Sequence, residues 1–137
     1  MARMTRPKIL LLEHAAAIRD AMRESLESEN CEVVSSRTFA EGLDQIYERQ
    51  DFDVLITDLR IQRAEDHPRL VPAIRAFRPE CLLVAVTDFL DVRGAQRAIL
   101  LQADYIVKAS NVKDVAKLLN ARTAEADSAP SYEAKSS

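Results

Sequence analysis

The chain is predicted to be an α/β domain: one five-stranded parallel sheet wound on both faces by helices. Three observations carry that expectation. Residues 9–12, 54–56 and 82–86 are continuous apolar runs, too short for helices, as strands covered on both faces require. Each run ends on polar groups: Glu13-His14, Thr57-Asp58 and Thr87-Asp88. Between the runs, apolar residues recur at helical spacing, so strands and helices alternate. Parallel strands bring their polar ends to one edge, where open α/β sheets hold their sites.

The elements follow in order. After the strand at 9–12, residues 16–29 place Ile18, Met22 and Leu26 four apart, an amphipathic helix. Asn30 ends it, because Asn tolerates left-handed backbone. Residues 31–35 form a short strand of mixed polarity, which belongs at a sheet edge. Phe39, Leu43, Ile46 and Tyr47 restore the helical period over residues 38–49. After the strand at 53–57 comes a helix over 68–77, with Leu70, Val71, Ile74 and Phe77 apolar, Pro72 in its first turn and Pro79 closing it. The strand at 82–86 leads to a helix near 91–102, then to the strand Tyr105-Ile106-Val107. A last helix runs from about 111 to 122, with Val112, Val115, Ala116 and Leu119 on one face. Five βα units in a row imply right-handed crossovers.

With 137 residues the chain is one domain, expected to comprise an N-terminal extension (1–7), a folded body (8–122) and a disordered tail (123–137) rich in Ala, Ser, Glu, Asp and Lys. A formal charge of −3 argues against bulk electrostatic binding of nucleic acid. No apolar run approaches the roughly 20 residues that span a bilayer, so no membrane contact is expected and the location is read as cytoplasmic. Cys31 and Cys81 lack metal-like spacing, and each opens a strand as a small packing residue.

The acidic end of the first strand, Asp58 after the third, Thr87 after the fourth and Lys108 after the fifth, in this order of elements, resemble the receiver domain of bacterial response regulators. The likeness covers residues 8 to about 122. It implies a flavodoxin-like sheet with strand order 2-1-3-4-5. It also implies that Asp58 accepts a phosphoryl group from a histidine kinase or phosphotransfer protein. In the family, Mg²⁺ is held by an acidic pair after the first strand, the acceptor Asp and a backbone carbonyl. By position Glu13 and His14 correspond to that pair, Lys108 to the residue that contacts the phosphoryl oxygens, Thr87 to the switch hydroxyl and Tyr105 to the switch aromatic. Partners would meet the surface of the fourth helix, fifth strand and fifth helix, where Ile99-Leu100-Leu101 is more apolar than a solvated turn needs.

Several positions depart from the family pattern. His14 stands where a carboxylate contacts Mg²⁺, and imidazole suits softer metals; Mg²⁺ binding is expected to be weak or lost. Asp88, bulky and anionic, follows the switch hydroxyl where a small residue is usual, and Arg60 is its candidate partner. The loop after Asp58 reads Ile61-Gln62-Arg63-Ala64-Glu65-Asp66-His67-Pro68, without the family's Met-Pro and Asp-Gly. Ala109 replaces the Pro that usually follows the phosphate lysine. In the resting state Lys108 is expected to pair with Asp58 or Asp88.

Two functions follow from this reading. The first is a stand-alone receiver module, not an enzyme, phosphorylated on Asp58 and signalling by protein contact. The second is a pseudo-receiver that acts as an interaction domain without phosphorylation. A flavin or nucleotide enzyme on the same sheet is disfavoured, since Ala15-Ala16-Ala17 offers no side-chain donor and no Gly lies nearby.

Overall fold

Five parallel strands pair in the order 2-1-3-4-5 in the computed structural model, which describes residues 6–49, 51–58, 67–87 and 92–128. The strands are Lys8–Leu12 (β1), Glu32–Ser36 (β2), Val54–Asp58 (β3), Leu82–Val86 (β4) and Tyr105–Val107 (β5). The helices are Ala16–Glu27 (α1), Phe39–Arg49 (α2), His67–Phe77 (α3), Val92–Leu101 (α4) and Val112–Ser128 (α5); a 3-10 turn at Ala109–Asn111 precedes the last.

Strand alternation divides the core in two. Leu10, Leu12, Leu55, Leu83 and Ala85 face Phe39 and Ile46 of α2, Ala73 and Ile74 of α3, and Ala98 of α4. Ile9, Leu11, Val54, Ile56, Val84 and Val86 face Met22 and Leu26 of α1 and the Val112, Val115, Ala116, Leu119 stripe of α5. The three central strands are therefore apolar on both faces, which is why their sequences run apolar without alternation. Each fully buried Leu, Ile or Val contributes about 1.5–3 kcal/mol. At the two edges β2 is half-buried and β5 exposes Tyr105 and Ile106. The mixed polarity of β2 thus reports its edge position.

Close packing reaches the end of β1. A Cβ on Gly42 of α2 would lie 2.8 Å from Leu12 Cδ2 and 2.9 Å from its Cδ1, so a larger residue there would force the Leu12 side chain to shift.

The N-terminal edge of the sheet is closed by two matching clasps. Asp53, one residue before β3, donates its N–H to Lys8 O at 2.8 Å, and its Oδ2 accepts the Lys8 N–H at 2.8 Å. Asp104, one residue before β5, does the same with Leu83: its N–H donates to Leu83 O at 2.7 Å, and its Oδ2 accepts the Leu83 N–H at 2.8 Å. Two arginines near the end of α3 grip these carboxylates, Arg78 on Asp53 Oδ1 at 2.9 Å and Arg75 on Asp104 Oδ2 at 3.4 Å. Both clasps lie at the edge opposite the polar strand ends.

The structure corrects three expectations. Pro72 is the sixth residue of α3 and not in its first turn. It is exposed, and its missing N–H removes one backbone hydrogen bond from the helix. Gln102 ends α4 with φ 63°, the same left-handed stop that Asn30 makes after α1 with φ 65°; composition pointed only to Asn30. The last helix continues six residues past 122, to Ser128, because Ala121, Ala124 and Ala126 favour helix. Residues 129–137 of the expected tail lie outside the described residues.

Candidate functional site

Strand register assembles the polar ends. Leu12 pairs with Thr57, so Glu13 and Asp58 follow side by side on adjacent strands. Asp58 in turn pairs with Val86, the residue before Thr87. Val86 pairs with Val107, and the Thr87 N–H donates to Val107 O at 3.0 Å, which places Lys108 next along the same edge. The predicted residues Glu13, Asp58, Thr87 and Lys108 therefore share the C-terminal edge of the sheet.

Their environments differ. Glu13 is 1% exposed and Asp58 3% exposed, whereas Thr87 is half-buried and Lys108 and His14 are exposed. Glu13 is fixed by its surroundings: its N–H donates to Ser36 O at 3.1 Å, and its Oε2 accepts the Ala15 N–H at 3.1 Å. Tyr105 is 41% exposed at the start of β5. Among the described residues the ion pairs lie on the N-terminal edge and the helix surfaces, and none joins Lys108 to Asp58. The expected resting pair is not formed with Asp58. An exposed ammonium gains little from such a pair and keeps its water. Arg60 and Asp88, the expected pocket modifiers, lie outside the described residues, as does the loop over 61–66.

Glu13 and Asp58 bring two hard carboxylate donors to the ends of neighbouring strands. A hard divalent cation is the natural counter-charge. Mg²⁺ commonly takes only one or two protein carboxylates and keeps several waters, so Glu13 and Asp58 fit its donor chemistry. Among the described residues no group of three His, Cys, Asp or Glu side chains forms a fuller metal cage. The exposed His14 does not complete one.

Sequence reasoning missed Arg19. Its Nη1 donates to the carbonyls of Glu13 at 3.0 Å and His14 at 3.3 Å. The available signal was a cation in the first turn of a helix that opens on three alanines, where the dipole disfavours it.

Comparison with known proteins agrees with this geometry. A family model described as the response regulator receiver domain matches residues 9–120. Among solved structures, the chain is similar to a CheY-like response regulator receiver domain protein from Methanospirillum hungatei JF-1. The two are 24% identical with a TM-score of 0.69, over 88% of this chain and 96% of that one. It is also similar to the chemotaxis protein CheY4 of Vibrio cholerae, at 21% identity and a TM-score of 0.70, over 87% and 99% of the two chains. A third is a Burkholderia pseudomallei response regulator solved with a phosphorylated aspartic acid, calcium ion and citrate. Here identity is 16% and the TM-score 0.65, over 85% and 72% of the chains. Comparison with the curated proteins gives no match.

Proposed function

The chain belongs to the response regulator receiver family, and from that premise we propose that Asp58 accepts a phosphoryl group from a phosphohistidine of a kinase or phosphotransfer protein. One observation carries the proposal: a buried carboxylate at the tip of a central strand, with a second carboxylate beside it and a hydroxyl and an ammonium one and two strands away.

An Asp58 oxygen attacks phosphorus, the bond to the donor nitrogen breaks, and a mixed carboxylic–phosphoric anhydride forms. Repulsion between carboxylate and phosphoryl oxygens opposes the approach. A Mg²⁺ ion held by Glu13 and Asp58 would supply the screening charge. Burial of Asp58 strips water from the nucleophile and limits hydrolysis of the acyl phosphate. Lys108, exposed and unpaired to Asp58, is available to meet the new phosphoryl oxygens with its ammonium. Half-buried Thr87 stands one residue past the Val86 partner of Asp58, where its hydroxyl donates to the same oxygens.

The output is protein contact. Val92 and Ile99 lie one behind the other on α4, 73% and 74% exposed, beside the open edge strand that carries Tyr105 and Ile106. Movement of Thr87 toward the phosphoryl group would be felt through its hydrogen bond to Val107, two residues from Tyr105. A kinase partner places the chain in the cytoplasm. The phosphorylation-independent alternative is the weaker reading, because the chain matches the receiver family over residues 9–120 and keeps the carboxylates of Glu13 and Asp58 at the sheet edge.

Incubation with Mg²⁺ and acetyl phosphate or phosphoramidate is expected to add the mass of one phosphoryl group, and Asp58→Asn to abolish the gain. No gain in the parent protein under saturating donor overturns the proposal.

A further inference from the structure

The loop that carries Glu13 is held by a side chain outside the acidic pair. Glu13, His14 and Ala15 are the whole connection between β1 and α1. Ala15, the N-cap residue of α1, makes no side-chain cap, and neither Ala16 nor Ala17 has a side-chain donor or acceptor. The Glu13 carboxylate takes the Ala15 N–H, which leaves the loop carbonyls to be tied elsewhere. Arg19 ties them, one guanidinium nitrogen reaching both Glu13 O and His14 O.

That placement runs against helix electrostatics. Arg19 is the fourth residue of α1, whose first turn has no acidic residue. A cation near a helix N-terminus costs about 0.3–1 kcal/mol. Helix stability alone does not account for Arg19; the grip on the two carbonyls does.

We propose that Arg19 is a positioning residue for divalent-cation binding at the acceptor site. It fixes the peptide that carries Glu13, and so holds the Glu13 carboxylate beside Asp58. The inference rests on the reading of Asp58 as a metal-assisted phosphoacceptor and adds a residue that acts through Glu13 rather than on the phosphoryl group. Partners that orient a metal ligand typically change metal affinity by about 10–100-fold when removed.

The test uses the full chain and Mn²⁺ alone, with free Mn²⁺ read by electron paramagnetic resonance and no phosphoryl donor present. Arg19→Gln is expected to weaken Mn²⁺ binding by about tenfold. Arg19→Lys, whose shorter side chain lacks the planar fork that carries Nη1 to both carbonyls, is expected to fall between it and the parent. Arg23→Ala, a control on the same helix whose Nη1 reaches only Ser35 Oγ at 3.5 Å, is expected to bind as the parent does. With acetyl phosphate added, the half-saturating Mg²⁺ concentration rises in Arg19→Gln while the rate at saturating Mg²⁺ approaches that of the parent. Circular dichroism checks that each variant is folded; should Arg19→Gln not fold, Arg19→Lys carries the test, and parent-level affinity in it overturns the proposal. Equal Mn²⁺ affinity in parent and Arg19→Gln, with Asp58 still phosphorylated, overturns this inference alone. A parent that binds no Mn²⁺ and takes no phosphoryl group overturns the reading beneath it, and this inference with it.

Discussion

Glu13 and Asp58 stand side by side at the ends of adjacent parallel strands, one register step beyond the Leu12–Thr57 pair, and both are buried. A divalent cation bound between them stabilises the folded chain by mass action. Millimolar Mg²⁺ is expected to raise the melting temperature of the parent and leave that of Asp58→Asn unchanged. Thermal denaturation with and without Mg²⁺ reads both effects.

Asp53 joins the start of β1 to the segment before β4, through the Lys8 N–H and Arg78. Asp53→Ala leaves the Lys8 N–H without its acceptor and leaves Arg78 with Glu80 as its remaining carboxylate partner. The expected cost is about 1–3 kcal/mol in urea unfolding. Phosphorylation of the folded fraction is expected to be unchanged, because the clasp sits at the far edge of the sheet.

Gly42→Ala probes how tightly α2 lies against the base of the site. The added methyl group meets Leu12, which is fully buried and immediately precedes Glu13. Overpacking of about 1–3 kcal/mol opposes a helix-propensity gain of about 1 kcal/mol. A net loss in chemical denaturation is expected, and a net gain would show that Leu12 has room to turn.

Burial pushes the Cys31 thiol up to about 11 and the Cys81 thiol up to about 12, from an ordinary value of 9.0. In the unfolded chain these thiols ionise first. Their contribution is therefore fully present below pH 9 and is lost as pH rises through the folded values. Melting temperature measured across this range is expected to fall more steeply in the parent than in a Cys31→Ala, Cys81→Ala double variant. At neutral pH, alkylation of either thiol is expected only at the rate of unfolding.

Strand positions were legible because both faces of the central strands are apolar, while the order 2-1-3-4-5 came from the family resemblance; parallel register then brings Glu13, Asp58, Thr87 and Lys108 to one edge. What the sequence hid is long-range or backbone-directed. Arg19 acts on carbonyls, which leave no mark in the residue pattern. Asp53 and Asp104 carry no sequence sign that each folds back on a neighbouring strand, which only their hydrogen bonds to Lys8 and Leu83 reveal. Gln102 adopts the left-handed stop that Asn30 signals by its own chemistry, and Pro72 lies past the first turn whether α3 starts at 67 or 68.

Chemical trapping of the acyl phosphate tests the central claim most directly. After treatment with Mg²⁺ and phosphoramidate, borohydride reduction and peptide mass mapping are expected to find homoserine in place of Asp58, with none in a Mg²⁺-free control. A phosphorylated chain with Asp58 unreduced, or reduction mapped to another carboxylate, would contradict the account.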